Sequence, residues 1–457
     1  METSKLKFTQ SLTFKGIVTA ILVLLLLIPC AMVQELITER QQRSAETILK
    51  INDKWSRPQT LCAPLLVIPY TTTQLDKDKK TYYEEHSLFV TPQNLKIDVS
   101  LTPEERHYGI YKTILYKSGI RFSGDFAGIE NLKIDNSELH FDKAYIAIGI
   151  TDLRGVSKNP EFTIANKPLA ASVGVVKLFE VAEPVVVTVP DKFSSDFSYS
   201  TDKITAGKTL TVNLKGLICP DSLQKQLDFA CNLNLNGSSS IHFIPVGQNT
   251  AVGVEGEWES PSFVGNFSPE YSILGNHFSA AWNVLSYNRE IPESWNDENV
   301  PALGDNSFGI NLIETIDHYR QNMRSAKYAL MFIALTFVVF FFVEIFTKKS
   351  IHFFQYLLVG IALILFYSLL LSLSEQIGFG LAYLIAGAST VLLITLYFYS
   401  LIRQKLSACI LAGILTLLYA FLYVILQVED FALLIGSVFL FVILGIIMFV
   451  SNKVKSK

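Results

Sequence analysis

No charged side chain stands near the middle of any of six long apolar stretches in this sequence. Ion-coupled carriers usually place ionisable groups there, so the omission counts against coupled transport, though not against lipid movement. Histidine is equally thin. His86, His107, His140, His242, His277, His318 and His352 form no close pair at metal-ligand spacing. There is no H-E-x-x-H and no G-x-S-x-G, so two common hydrolase signatures are missing. Neither sign of charge is in large excess. A net charge of −3 gives no bulk electrostatic case for binding nucleic acid. Nothing implies a metal or a cofactor.

Cysteine is sparse, with five in 457 residues. Cys30 and Cys409 lie in or beside apolar runs. Cys62, Cys219 and Cys231 lie in the polar part, where three thiols cannot all pair internally. A Cys219–Cys231 bridge and two separate buried thiols both fit the sequence.

What the chain does have is apolar length. Half of its residues are hydrophobic, and the mean hydropathy is +0.34. The excess is concentrated at 16–33 and 328–450. Six segments reach the roughly 20 residues that cross a ~30 Å hydrocarbon core. They are 16–33, 328–346, 353–373, 379–400, 406–426 and 431–450. "LLLLIPCAMV" (24–33) fits a cleavable leader poorly, so the first segment is expected to remain as an anchor. The short loops alternate in charge. Lys5, Lys7 and Lys15, Lys348 and Lys349, Arg403 and Lys405, and Lys453, Lys455 and Lys457 fall on one side. Glu375, and Glu429 with Asp430, fall on the other. Short loops rich in Lys and Arg stay cytoplasmic, which puts both termini inside and 34–327 outside.

The long outer segment opens with "QELITERQQRSAETILK" (34–50), which extends the first span as a helix. Glu39 and Arg43 stand at the i,i+4 spacing of a solvated helix face. Beyond Trp55 the runs become short, alternating and β-branched: "PLLVIPY" (64–70), "LKIDVSL" (95–101), "PVVVTVP" (184–190) and "KTLTVNLKGL" (208–217). Asn, Gly, Pro and Ser punctuate them, as in a sandwich-like β domain. A subdomain division is expected near 160–180, where strand character weakens. "ETIDHYRQNMRSAKY" (314–328) reads as a helix leading into the second span. The fold class is therefore an α+β membrane protein. Six transmembrane helices carry a large β-rich domain between helices 1 and 2. The regions are 1–15, 16–33, 34–327, the five-helix bundle 328–450, and a tail at 451–457.

Candidate chemistry is slight. "AGKT" (206–209) ends like a phosphate loop, but Asp202 replaces its first glycine. "SLQK" (222–225) would put Ser222 and Lys225 on one helical face, as a Ser–Lys hydrolase needs. Its partner motifs are absent, and a surface helix is the plainer reading. "VEGEWES" (254–260) places Glu255, Glu257 and Glu259 on one strand face, either as a cation site or as a solvated face over a buried Trp258. Glu344 is the one acid inside a span and can pair with Lys348 one turn later. Glu375 is about 34 Å of helix from His352 at ~1.5 Å per residue, so it sits at the outer interface. There it is expected to meet Arg324 and Lys327 and to brace the outer domain.

Several stretches resemble the CreD family of inner-membrane proteins. They are "KYALMFIALTFVVFFFVE" (327–344), "HFFQYLLVGIALILFYSLLLSLSEQIGF" (352–379), "PLLVIP" (64–69), "YGIY" (108–111), "DLRGV" (152–156), "IPVGQN" (244–249) and "PSFVGNFSP" (261–269). The resemblance implies a bacterial inner membrane, a periplasmic β domain and a role in cell-envelope integrity. It also implies the CreBC two-component response and colicin tolerance. It implies no reaction and no catalytic residue. The expected partners are the lipid bilayer and a periplasmic or envelope component. The competing readings are a transporter or lipid-handling protein and the Ser222/Lys225 hydrolase.

Overall fold

In the computed structural model the described residues are 12–75, 81–174, 178, 180–185, 200–205, 209–215, 217, 226–312, 318–347, 351–428 and 431–455. The chain forms two compact units. One contains 1–43 with 316–457, and the other is Ser44–Thr315.

Helix α1 (Leu12–Trp55) is 44 residues long. At ~1.5 Å per residue it is about twice as long as a bilayer core is thick. Its polar second half is helical through 34–50, and Glu39 meets Arg43 at 2.7 Å. The other helices are α2 (His318–Lys327), α3 (Ala329–Thr347), α4 (Phe353–Ile377), α5 (Phe379–Ile402), α6 (Lys405–Gln427) and α7 (Ala432–Lys455). Five helices, α1 and α3 to α6, are long and apolar enough to cross a membrane. In α7 the described apolar stretch is only Leu434–Phe449. Six spans were expected from sequence, and the described residues support five.

Small residues set the spacing in this unit. A side chain at Gly360 would place its Cβ 2.2 Å from Leu26 and 3.1 Å from Phe337. The glycine thus lets α4 approach α1 and α3 closely. With lipid on the outside, helix association depends on such packing. Cys30 and Gln34 both donate to the Ala326 carbonyl, at 3.7 and 3.3 Å, which ties α1 to α2.

The β unit is a two-layer sandwich of a ten-stranded and an eight-stranded sheet, with a separate two-stranded ribbon of Glu180–Val185 and Ser200–Thr205. Strand Gln59–Leu75 organises the first sheet. It pairs in parallel with Ser240–Ile244, and antiparallel with Thr81–Val90, Ser137–Leu139 and Tyr145–Ile150. Its "PLLVIP" segment is nearly all core, with Leu65, Leu66, Val67 and Ile68 fully buried. Proline has no N–H for a ladder, so in a central strand it belongs at a bulge. Pro64 falls where the register shifts, between Cys62 and Leu65.

The second sheet runs in the order Glu270–Leu274, His277–Leu285, Asn249–Glu257, Asn94–Tyr108, Tyr111–Ala127, Gln226–Ser238, Glu161–Ile164, Lys167–Leu169. Burial alternates strictly along His277–Leu285, so one face is core and the other is solvent. "YGIY" is the hairpin tip where Tyr108 pairs Tyr111, and Gly109 supplies a φ of 62°. The layers meet through aromatic rings. Trp282 of the second sheet lies 5.3 Å from Phe308 of the first, and its indole donates to the Phe267 carbonyl at 3.0 Å. Cys62 and Cys231 are buried free thiols. Cys219 lies outside the described residues.

His242 hydrogen-bonds Asn311 at 3.1 Å. Burial pulls its pKa below the ordinary value, and the Asn311 bond offsets part of that shift. A depressed histidine pKa means that the unfolded chain binds the proton more readily. The associated stability is therefore whole above the unfolded pKa of about 6.5 and is lost as pH falls below it. Thermal unfolding of the full chain at pH 7.5 and pH 5.5 should show a smaller difference in His242→Gln than in the unsubstituted protein.

Candidate functional site

The polar groups of the two units gather at a few places. In the β unit the main one is where α1 ends. A helix leaves its last carbonyls without internal partners, and a cation there also meets the favourable end of the dipole. Arg154 donates to the Asp53 carbonyl at 2.8 Å. Its guanidinium also grips Asp152 in a fork, with Nε at 2.9 Å and Nη2 at 2.8 Å. Asp152 accepts the Arg57 backbone N–H at 3.1 Å as well. Burial raises the Asp152 pKa, but these donors outweigh it and hold the carboxyl below its usual range.

Gln59 completes the junction. Its Nε2 donates to Ser56 Oγ at 2.7 Å and to the carbonyls of Asp152 and Asn236, while its Oε1 accepts the Asp152 N–H. Ser56 and Gln59 are fully buried. "DLRGV" is thus the clasp between helix and first strand. Its glycine has no room for a side chain: a Cβ on Gly155 would lie 2.3 Å from the Asn236 carbonyl oxygen and 2.7 Å from Ser56 Oγ. "IPVGQN" plays a similar part elsewhere. The Gly247 carbonyl accepts from buried Arg289 at 3.0 Å, and Gln248 and Asn249 donate to the carbonyls of Pro92 and Gln93.

In the helical unit, Glu344 is buried. It accepts the Tyr356 hydroxyl at 3.0 Å and the Ile351 N–H at 3.2 Å, joining the end of α3 to the start of α4. Lys348 lies outside the described residues. Glu375 has a side chain only 7% exposed. It accepts the Tyr319 hydroxyl at 3.1 Å and faces Arg40 at 3.8 Å. One turn after Tyr319, Asn322 donates to Ser374, the residue before Glu375, at 2.7 Å. The contacts described for Arg324 lead elsewhere, to the carbonyls of Ile425 and Val428 at the end of α6, both at 3.4 Å. Lys327 is exposed in the last turn of α2. Arg40 and Tyr319 were missed in the sequence. Arg40 precedes Glu375 by over three hundred residues, and Tyr319 gives no signal beyond its helical phase.

One groove of about 430 Å³ lies between α4 and α5. Ser368, Ser372, Ser389 and Thr390 line it among leucines and Phe366. Thr390 spends its hydroxyl on the Ala386 carbonyl at 2.8 Å, which leaves the three serines to set the groove's polarity. Ser222 and Lys225 lie outside the described residues, as does most of "AGKT". Glu255 and Glu257 stand exposed on one strand, and Trp258 packs against the core. Among the described residues, no three His, Cys, Asp or Glu side chains gather as metal ligands.

A family model described as Inner membrane protein CreD matches residues 11–456. Inner membrane protein CreD of Escherichia coli (strain K12) is 30% identical over 446 residues, which covers 94% of this chain and 91% of that protein.

Two expectations follow from these contacts. Gly155→Val should cost about 2 kcal/mol or more by overpacking the clasp, read as a lowered denaturant midpoint of the full chain. Tyr319→Phe should lower the melting temperature more than Arg40→Ala. The hydroxyl satisfies a buried carboxylate at hydrogen-bond distance, whereas the arginine is a looser, half-exposed partner.

Proposed function

The chain belongs to the CreD family of inner membrane proteins, and from that premise we propose that it is a non-enzymatic envelope-integrity protein. Its β unit works on the periplasmic side, and its helices serve as anchor and scaffold. One observation carries this reading: a sandwich spanning Ser44–Thr315 interrupts the apolar helices after the first, while the polar clusters named above serve packing and capping. Long inserted domains cross the membrane regardless of their own charge, and every short basic loop falls on the opposite side. Both termini are accordingly cytoplasmic, and α7 is the sixth span.

The partner of the β unit is a component of the envelope rather than a small substrate. The reading includes the stress response and colicin tolerance associated with the family. Glu375 in this arrangement lies near the outer interface, where α1, α2 and α4 are drawn together through Arg40 and Tyr319. Lys348, Arg324 and Lys327 take structural places at the two membrane surfaces.

The groove between α4 and α5 favours a second reading, that of a lipid-handling protein. Serines facing a leucine-lined groove offer hydrogen bonds to an ester or glycerol group without a charge being buried. Replacing Ser372 and Ser389 by leucine together would abolish function on this reading and leave it intact on the first.

Sidedness is tested by cysteine labelling in cells with a permeabilised outer membrane. Tyr287→Cys, at a fully exposed position of the β unit, should react with a membrane-impermeant maleimide above the background of the unsubstituted chain. Lys457→Cys should react only after lysis. Photo-crosslinking from position 287 in living cells should then recover an envelope component, and recovery of cytoplasmic proteins alone would overturn the reading.

A further inference from the structure

The solvent face of the eight-stranded sheet carries a groove of about 930 Å³. Strand register fixes its floor and walls. One row across the sheet reads Glu270, Ala281, Gly253, Asp98, Arg121, Asn232. The neighbouring row passes through Ser279, Glu255, Ser100, Gly119 and Asn234. Glycine, alanine and serine are poor strand formers, yet they cluster here on four adjacent strands. Their effect is to lower the surface. A Cβ added to Gly119 would meet nothing within 4 Å, so the space above it is open.

The groups around this floor are planar and hydrogen-bonding rather than apolar. Asp98 and Glu255 accept, Asn232 and Asn234 both donate and accept, and Arg121 donates. Arg121 already reaches Asn232 at 3.3 Å, and Lys96 is paired with Asp98 at 2.8 Å. From Glu270 to Asn232 the row crosses five strand spacings, or about 24 Å at ~4.8 Å per strand. An occupant is therefore extended and runs across the strands. Three carboxylates against the Arg121 guanidinium and the Lys96 ammonium paired with Asp98 still leave an acidic excess, which disfavours an anionic chain. Arg121, between Asp98 and Asn232 in the row, disfavours a cationic one. The floor offers an apolar chain no large side chain to pack on. A chain of hydroxyls, each both donor and acceptor, matches the alternation of acids, amides and guanidinium.

We propose that this groove binds a neutral polysaccharide strand. The proposal deepens the envelope reading and rests on it for the source of the strand. The binding test below addresses the groove alone, and cysteine labelling addresses the sidedness, so the two can fail separately.

The test is calorimetric titration of the full chain in lipid nanodiscs, which avoids sugar-headed detergents. The probes are cellohexaose, chitohexaose, glucose and hexalysine. At least one hexasaccharide should bind at millimolar concentration or below, with glucose at least about tenfold weaker and hexalysine silent. Gly119→Val adds a β-branched residue on an exposed strand face, so it should keep the melting temperature while filling the groove. It should weaken the hexasaccharide at least about tenfold, a change of about 1.4 kcal/mol. The proposal is overturned if neither hexasaccharide binds, if glucose binds as well as both, or if hexalysine binds more tightly. Hexasaccharide affinity that is unchanged in Gly119→Val also overturns it.

Discussion

A helix that ends inside a protein must find partners for its last carbonyls, and here that requirement organises the β unit. α1 stops at Trp55, and the strand with four pairing partners begins at Gln59. Only three residues separate them. The turn is held by Arg154 on the Asp53 carbonyl, by Asp152 on the Arg57 N–H, and by Gln59 reaching two carbonyls and Ser56. Because Gln59 is itself the first residue of the central strand, helix end and sheet register are set by the same side chain. Each partner of that strand is then aligned in turn.

The helical unit relies on a different economy. Its charged residues are few, and those that are buried are satisfied locally: Glu344 by Tyr356 and a backbone N–H, Glu375 by Tyr319 and Arg40. In surroundings where water is scarce, an acid accepting such donors avoids the cost of an unpaired carboxylate. Small residues do the rest. Gly360 admits Leu26, and serines line a groove between α4 and α5 without adding charge. The two units thus divide the labour between hydrogen-bonded turns and close apolar contact.

Much of this was legible. Long apolar runs mark helices because a bilayer demands length, and alternation along "LKIDVSL" (95–101) marks a half-buried strand because side chains alternate in a pleat. The short stretches quoted for the family resemblance turn out to be places of tight geometry: a bulged central strand at Pro64, a hairpin at Gly109, a clasp at Gly155, a loop held by Arg289. Pairing between distant segments was not legible. Nothing in "QTLC" (59–62) announces a parallel neighbour at 241–244, and nothing at Glu375 points to Arg40. The groove over Gly119 is equally silent in one dimension. Its small residues come from four strands and become neighbours only through register.

The parallel pairings also set an order in time. Gln59 aligns with Ile241, and Asn94 with Asn249. As the chain emerges from synthesis, the central strand of one sheet and an inner strand of the other stay incomplete until the segment near 240–257 has appeared. Hairpins such as 94–127 can close early, but the sandwich cannot seal before its late strands arrive, and such long loops close slowly. For that interval a row of apolar side chains and open backbone is left uncovered. A nascent chain that ends just short of Ser240 thus has neither parallel pairing available, and both sheets wait for their partners at the same length.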